Sequence, residues 1–267
     1  MPLLLNSKVS GIAIFSAIVA VGFFIYPALF DKKVFNNEDS SKQLSKASVL
    51  QQNKNVEKGD ISSVATTKNG IAPEMVLIDA PFSSQAPYGN WGQPWQDACE
   101  ETSVLMAVAW ARGFGLAPAF AAEEIMKQVQ FEERVFGYHR DTNLEDTARL
   151  IKDFYRYSNF DIRYDGVTAE NIKNELASGN LVIVPLAGEL LENPYFTSSP
   201  YYHMVVVRGY DDISREFIVN EPGTKYGNAL RYRYDNLIAA IHNWTGLAAT
   251  IERGKKAMIV VRPVLKK

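Results

Sequence analysis

The chain has 267 residues, of which 47% are hydrophobic and 22% are charged, and its formal net charge is -2. This composition is typical of a globular protein and excludes a collagen, a coiled coil or a wholly disordered chain. Because the 28 Lys and Arg residues do not exceed the 30 Asp and Glu residues, a nucleic-acid partner is not expected. One cysteine and three histidines exclude an internal disulfide and a zinc cluster.

Residues 9–30 carry no charged side chain. As a helix they would reach roughly 33 Å, enough to cross a hydrocarbon core of about 30 Å. We therefore predict an N-terminal transmembrane anchor in residues 1–30. A cleaved signal peptide is the alternative, although the stretch exceeds the usual apolar core of about 7–15 residues and no A-x-A site follows it. The short head and long tail favour a single-pass protein of the cell membrane with its folded domain outside the cytoplasm.

Residues 31–72 are rich in Ser, Lys, Asn, Gln and Glu and show neither helical nor strand periodicity. Such a segment buries too little apolar surface to offset its ordering entropy, so it is predicted to be a disordered linker. Residues 73–267 are predicted to form the folded domain, which is long enough for one substantial core.

Within the domain, the sequence predicts helices first and strands afterwards. Asp97, with Glu100 three residues later, has the spacing of a capping box and predicts a helix that starts at Ala98 and ends at Gly113. Because this helix is apolar on every side after its first turn, it is predicted to be buried. Further helices are predicted near 143–156 after Thr142, from Thr168 to Gly179, and from Asp235 to His242.

Strands are predicted at 181–186, 203–207, 216–219 and 258–261, where β-branched and apolar residues dominate. The polar segment 211–215 suits a hairpin turn between the second and third of them. Helices followed by an antiparallel sheet define an α+β fold.

Cys99 lies in the first turn of the predicted buried helix, where free amide groups and the helix dipole favour a thiolate over a thiol. His203 begins an apolar strand that would hold its imidazole rigidly. Cysteine acyl transfer needs a nucleophile, a base and a third group that orients the base. Gln93 precedes the helix and is a candidate donor to an oxyanion, together with the backbone N–H of Cys99.

Asn220 and Glu221 are the two candidates for the third group. Side chains alternate along a strand, so only one of the two shares the face that carries His203. An even number of loop residues in the hairpin selects Asn220, whereas an odd number or one bulge selects Glu221. Because the sequence does not fix the loop length, both residues stay candidates.

Residues 84–101 resemble the nucleophile region of papain-like cysteine peptidases. The branch concerned is cysteine peptidase family thirty-nine, which includes the proteases that remove double-glycine leaders from bacteriocins, together with its stand-alone relatives. Residues 202–211 resemble the histidine motif of that branch, and residues 217–224 resemble its following Asp-Pro motif. The similarity extends over residues 76–263.

The resemblance implies a papain-like cysteine proteinase fold and hydrolysis of peptide bonds through a thioester, with a peptide or protein as substrate. It implies Cys99 as nucleophile, His203 as base and Gln93 as oxyanion donor, without a metal or organic cofactor. The chain departs from the family at the third group, where the family has Asp and this chain has Glu221. Papain itself uses an asparagine in that role, so Asn220 is a rival candidate. Two alternatives stay open, a catalytically silent peptide-binding module of the same fold and a cell-wall peptide amidase or transpeptidase.

His139 lies in a polar loop and His242 at a predicted helix end, so both are interpreted as non-ligands. Aromatic residues flank the motifs on loops, at Trp91, at Trp95 and within 194–202. They are interpreted either as walls of a peptide groove or as lids of the core.

Overall fold

A computed structural model of the chain describes residues 73–264. The predicted anchor in residues 1–30 and the predicted linker in residues 31–72 lie outside these residues. Between residues 73 and 264, no helix is long and apolar enough to cross a membrane.

The helices and strands alternate only partly along the chain. The α-helices are α1 (Cys99–Arg112), α2 (Pro118–Val135), α3 (Leu144–Arg149), α4 (Ala169–Ala177) and α5 (Tyr234–Ala240). A π-helical turn over Leu150–Phe154 continues α3, so together they account for the helix predicted near 143–156. The strands are β1 (Met75–Leu77), β2 (Phe160–Arg163), β3 (Leu181–Ala187), β4 (Tyr202–Asp211), β5 (Glu216–Asn220), β6 (Leu230–Arg233) and β7 (Met258–Val261). They form one antiparallel sheet in the order β2-β7-β3-β4-β5-β6, with β1 paired to β4. The predicted α+β class with an antiparallel sheet is confirmed.

Both faces of the central sheet are covered by helices. Met204 and Val206 of β4 belong to the core that contains α1, whereas Val205 and Val207 belong to the core that contains α4 and α5. Strands that are buried on both faces need apolar side chains at every position, which is why β3 and β4 appear in the sequence as continuous apolar runs.

Helix α1 is buried on nearly every side, as predicted. It begins at Cys99, because a short 3-10 turn over Trp95–Asp97 leads directly into Ala98. Ala98 is the N-cap and provides no side-chain hydrogen bond, so the prediction that Asp97 caps the helix was wrong. Gly113 ends the helix in the left-handed conformation with φ 76°, which suits glycine because it has no Cβ.

Two other helix starts also differ from the prediction. Asn143 caps α3 by accepting a hydrogen bond from the backbone N–H of Asp146 at 2.9 Å, although Thr142 was expected to do so. Arg233 precedes α5, and the predicted cap Asp235 lies inside its first turn. The prediction for α4 is confirmed, since the hydroxyl of Thr168 caps it.

Helix α2 was not predicted. Its inner face carries buried Glu124, Gln128 and Glu132, so the apolar stripe that normally marks a surface helix is interrupted. The start signal is Pro118 in the first turn. Strands β1, β2 and β6 were also missed, because each is short and only partly buried, whereas the equally short β7 is buried at every position.

Candidate active site

The first turns of α1 lie against the start of β4. The hydroxyl of Ser103 donates a hydrogen bond to the backbone carbonyl of Met204 at 3.2 Å, and both residues are buried. Cys99 lies one helical turn before Ser103, and His203 immediately precedes Met204. This bond therefore fixes the end of the helix that carries the thiol relative to the strand that carries the imidazole.

A second connection runs through Thr142, which is fully buried. Its backbone N–H donates to Oε1 of Glu100 at 2.9 Å, and its backbone carbonyl accepts a hydrogen bond from the hydroxyl of Tyr202 at 2.9 Å. Glu100 follows Cys99 in the sequence and Tyr202 precedes His203. One residue thus holds the neighbours of both predicted catalytic side chains.

His203 and Glu221 form a hydrogen-bonded pair through imidazole Nε2 and carboxylate Oε1. His203 is 2% exposed and Glu221 is completely buried. Phe196 packs edge-on against the imidazole, with ring centroids 5.5 Å apart. The other ring nitrogen, Nδ1, makes no hydrogen bond to any residue between 73 and 264. The pair therefore fixes the ring and leaves one nitrogen free for chemistry.

A β-bulge decides which candidate faces His203. The hairpin between β4 and β5 closes over residues 212–215, an even number that by itself would select Asn220. The register then shifts at Arg208, which has no partner on β5. One extra residue reverses the parity beyond it, so His203 shares a face with Glu221.

Asn220 lies on the opposite face of the sheet and is completely buried. Its Oδ1 accepts a hydrogen bond from Nη1 of Arg208 at 3.1 Å, and its Nδ2 donates to the carbonyl of Pro81 at 3.0 Å. The amide is thereby used in holding the bulge residue and the segment before α1. The structure does not bring Asn220 to His203.

The Glu221 carboxylate accepts hydrogen bonds at both oxygens. The backbone N–H of Gly223 donates to Oε1 at 2.8 Å, while the hydroxyl of Tyr232 and Nδ2 of Asn193 donate to Oε2 at 3.0 and 3.3 Å. A Cβ at position 223 would lie 2.8 Å from the Phe196 ring and 3.0 Å from Oε1. A side chain at position 223 would therefore displace the Phe196 ring, which packs against the imidazole of His203.

The thiol of Cys99 is 6% exposed and donates a hydrogen bond to Oε2 of Glu100 at 2.9 Å. Burial, together with the neighbouring Glu100 carboxyl group, raises the pKa of Cys99 well above its ordinary value. Burial, together with the charge of Glu101, also raises the pKa of Glu100. The expectation that the helix end stabilises a thiolate is therefore wrong for this arrangement, because desolvation and the carboxyl outweigh the dipole. Among the described residues, no hydrogen bond joins Cys99 to His203.

Two more buried carboxyl groups lie behind this first turn. Burial raises the pKa of Glu101 to about 7, and burial together with the charge of Glu101 raises the pKa of Glu132 well above its ordinary value. Both oxygens of each carboxyl group are buried without a hydrogen-bond donor among the described residues. Two buried carboxyl groups side by side are stable when they retain a proton, so the pair formed by Glu101 and Glu132 is partly protonated at neutral pH.

The structure does not bring Gln93 to the thiol. Gln93 is exposed, and its amide donates to Oδ2 of Asp97 at 2.6 Å. A different glutamine, Gln85, is buried and joins the two halves of the site. Its side chain donates to the carbonyl of Trp95 at 2.9 Å, and its backbone N–H donates to the carbonyl of Pro222 at 2.9 Å. The oxyanion role of Gln93 stays an untested prediction from the sequence, and the bond to Asp97 does not favour it.

Sequence reasoning missed four residues that contact the predicted site, namely Gln85, Glu100, Asn193 and Tyr232. Gln85 lies in the segment that resembles the family's nucleophile region, but nothing in the sequence distinguishes a buried glutamine from an exposed one. Glu100 was interpreted only as part of a capping box. Tyr232 reaches the site because β6 pairs with β5, and Asn193 reaches it through the packing of the loop between β3 and β4.

A cleft of about 490 Å³ opens beside the turn that follows Glu221. It is lined by Phe82, Ser83, Ser84, Ala86, Pro87, Tyr88, Gly89, Trp91, Leu116, Pro118 and Lys225. Its wall is tied to the site, since the hydroxyl of Ser84 donates to the carbonyl of Pro222 at 3.3 Å. Of the predicted aromatic residues, Trp91 lines this cleft and Tyr202 is buried in the core. Within residues 73–264, no group of three or more His, Cys, Asp or Glu side chains is arranged to hold a metal ion.

A buried cysteine at a helix start, together with a strand histidine held by a carboxylate, is the arrangement expected of a papain-like cysteine hydrolase. Residues 77–250 match the Peptidase_C39-like family, which is more than half of the chain, and the chain belongs to this family. It is accordingly a cysteine-type peptidase, and the resemblance found in the sequence is confirmed. No curated protein matches the chain significantly.

Two solved structures are similar to this chain at low sequence identity. A protein assigned as a C39-like peptidase from Bacillus anthracis is 16% identical, with a TM-score of 0.46 over 71% of this chain and 98% of that chain. Xylellain, a cysteine protease from Xylella fastidiosa, is 15% identical, with a TM-score of 0.38 over 77% of this chain and 94% of that chain. Neither likeness is close enough to assign a role to a residue.

Proposed function

We propose that this chain is a membrane-anchored cysteine peptidase in which Cys99 and His203 cleave peptide bonds through a thioester, with Glu221 orienting the histidine. In this proposal residues 9–30 form the anchor and residues 31–72 the tether, and the short head and long tail favour a catalytic domain outside the cytoplasm. The observation that carries the catalytic proposal is the buried His203–Glu221 pair, which leaves Nδ1 of the imidazole free to serve as base.

The resting thiol is held by Glu100, so catalysis begins when Cys99 turns away from that carboxyl group. The thiol then transfers its proton to Nδ1 of His203, which gives a thiolate and an imidazolium. Glu221 stabilises the imidazolium because its carboxylate accepts from Nε2. The reaction thus needs the thiol to exchange Glu100 for His203 as its partner and to pass its proton to the imidazole.

The Cys99 thiolate attacks the carbonyl carbon of the peptide, and the carbonyl π electrons move onto oxygen. The backbone N–H of Cys99 makes no hydrogen bond to another described residue and is a donor available to this oxyanion. When the tetrahedral intermediate collapses, the C–N bond breaks and His203 gives its proton to the leaving amine. Water then attacks the thioester with His203 as base, which releases the acid and restores the thiol.

The cleft beside the turn after Glu221 is proposed to bind the substrate. Its lining combines the apolar and aromatic surfaces of Phe82, Trp91 and Leu116 with the cation of Lys225. Such a lining favours a peptide with an apolar side chain and a nearby carboxylate. The apolar side chain would be buried against the aromatic surfaces, and the carboxylate would pair with Lys225.

The catalytic proposal is tested by the rate at which iodoacetamide alkylates Cys99 in the purified full-length protein from pH 4 to 9. We expect His203→Ala to slow alkylation at pH 7 by about tenfold or more, since the base is lost. His242→Ala is the matched control, because His242 bonds to the carbonyl of Gly254 away from the site and should leave the rate unchanged. Equal rates in all three proteins would overturn the proposal and favour a silent binding module.

The anchoring proposal is tested in a bacterial host that expresses the full chain. We expect the protein to stay in the membrane fraction after alkaline extraction, and we expect protease added to intact spheroplasts to digest the domain. Release by alkali would contradict the anchor, and protection from the protease would contradict an extracytoplasmic domain.

A further inference from the structure

We propose that Tyr232 and Asn193 are positioning residues for catalysis, which hold Glu221 in place and through it hold the imidazole of His203. The proposal rests on the proposed function and extends it to two residues that do not contact the catalytic histidine. Tyr232 lies on β6, and Asn193 lies in the loop between β3 and β4, 28 residues before Glu221 in the sequence.

The geometry divides the donors to Glu221 between its two oxygens. Oε1 is the oxygen bonded to His203, whereas Oε2 is bonded to Tyr232 at 3.0 Å and to Asn193 at 3.3 Å. Nδ2 of Asn193 also donates to the Tyr232 hydroxyl at 2.7 Å, so the two donors fix each other. All four residues are buried, so water does not replace a lost donor easily.

The length of the Glu221 side chain explains why a second pair of donors is needed. Glutamate has one more rotatable bond than the aspartate that the family resemblance implies at this position, and therefore more conformations in which Oε1 leaves His203. Holding Oε2 from the far side removes that freedom. Burial and the charge of Glu221 raise the pKa of Tyr232, which keeps its hydroxyl a donor across the physiological range.

The test is the imidazole N–H proton of His203 in the NMR spectrum of the full-length protein, since this proton lies in the bond to Glu221. We expect a downfield resonance that His203→Ala and Glu221→Gln abolish. Tyr232→Phe should speed its exchange with solvent by about tenfold or more, because a hydrogen bond to a charged group is lost. Tyr234→Phe is the matched control, as Tyr234 is also buried but bonds to Asp212 at 2.8 Å.

A second variant keeps the proposal testable if Tyr232→Phe disturbs the fold. Asn193→Asp retains the acceptor that Oδ1 offers to the backbone N–H of Tyr195 at 2.9 Å, but it replaces the amide donor with a carboxylate. At pH 8 we expect the same faster exchange and a lower kcat with little change in KM.

An exchange rate in Tyr232→Phe and Asn193→Asp equal to that of the unmodified protein would overturn the positioning role. Failure of the proposed function looks different. In that case His203→Ala would leave Cys99 alkylation unchanged, while the N–H resonance would still report whether Tyr232 and Asn193 hold the pair.

Discussion

Glu221 faces His203 because Arg208 forms a bulge in the neighbouring strand. Without this extra residue, the hairpin would place Asn220 on the face of the imidazole and turn Glu221 away. The same Arg208 side chain then holds Asn220 on the other face of the sheet, at 3.1 Å. One residue thus sets the register and uses the amide that would otherwise compete with the carboxylate.

The first prediction separates these two residues. Glu221→Gln should lower kcat/KM by about 10²-fold or more, because a neutral amide stabilises the imidazolium poorly and permits the wrong tautomer. Asn220→Ala should leave kcat/KM of the folded protein nearly unchanged but lower the free energy of unfolding by about 1–3 kcal/mol, since it leaves buried groups unpaired. Peptide hydrolysis and urea unfolding measure the two effects. A large loss of kcat/KM in folded Asn220→Ala, with little loss in Glu221→Gln, would contradict the pairing of Glu221 with His203.

The second prediction concerns the contact between Cys99 and Glu100. Because the Glu100 charge raises the pKa of Cys99, Glu100→Gln should move the pH profile of alkylation toward lower pH by on the order of one unit. Glu123→Gln is the control, since that carboxylate is exposed and pairs with Lys127. An unchanged profile in Glu100→Gln would mean that burial alone determines the reactivity of the thiol.

The third prediction concerns Gln93. Loss of an oxyanion donor typically costs about 10²–10³ in kcat. Because the Gln93 amide is exposed and held by Asp97, we expect Gln93→Ala to change kcat less than about tenfold. Steady-state hydrolysis gives the value. A loss of 10²-fold or more with KM unchanged would show that Gln93 leaves Asp97 during the reaction and serves as the donor.

The fourth prediction follows from the paired carboxyl groups of Glu101 and Glu132. The folded-state pKa of Glu101 rises from an ordinary 4.5 to about 7, so the folded protein binds more protons than the unfolded chain between these values. The contribution of Glu101 to the free energy of unfolding is therefore greatest below pH 4.5. It falls as the pH rises toward 7, by up to about 1.4 kcal/mol per pH unit.

Glu132→Gln should abolish much of the pH dependence of the free energy of unfolding. The amide of the introduced glutamine can donate to the Glu101 carboxylate, so the pair no longer needs to share a proton. We expect the free energy of unfolding to rise by about 1–3 kcal/mol at pH 8 and to change little at pH 5. Denaturant unfolding at both pH values measures the effect, with exposed Glu133→Gln as control. A variant that is less stable at pH 8 would contradict the proton-sharing pair.

The sequence predicted the parts of the fold whose local signals agree with their tertiary surroundings. The apolar run of α1 and its end at Gly113 were evident, as were strand β4, which carries His203, and strand β5, which ends one residue before Glu221. Helix α2 was missed because tertiary packing buries Glu124, Gln128 and Glu132, which a periodicity argument assigns to the outside.

The sequence could propose candidate site residues but not their geometry. Motif order singled out Cys99 and His203 as candidates, whereas the choice between Asn220 and Glu221 as the partner of His203 depended on a bulge that no local pattern reveals. The carboxyl partner of the thiol and the raised pKa of Cys99 depend on burial, which the helix-dipole argument leaves out. Long-range packing also determines that Gln85 is buried and Gln93 exposed.

Peptide hydrolysis tests the central claim most directly. The full-length protein is incubated with a peptide library, quenched with acid, and analysed by mass spectrometry for cleaved peptides and for an acyl group on Cys99. We predict cleavage and a Cys99-linked acyl peptide in the unmodified protein, with neither in Cys99→Ala and a loss of about 10²-fold or more in His203→Ala. Cleavage that persists unchanged in Cys99→Ala, or its absence from every protein, would contradict the account.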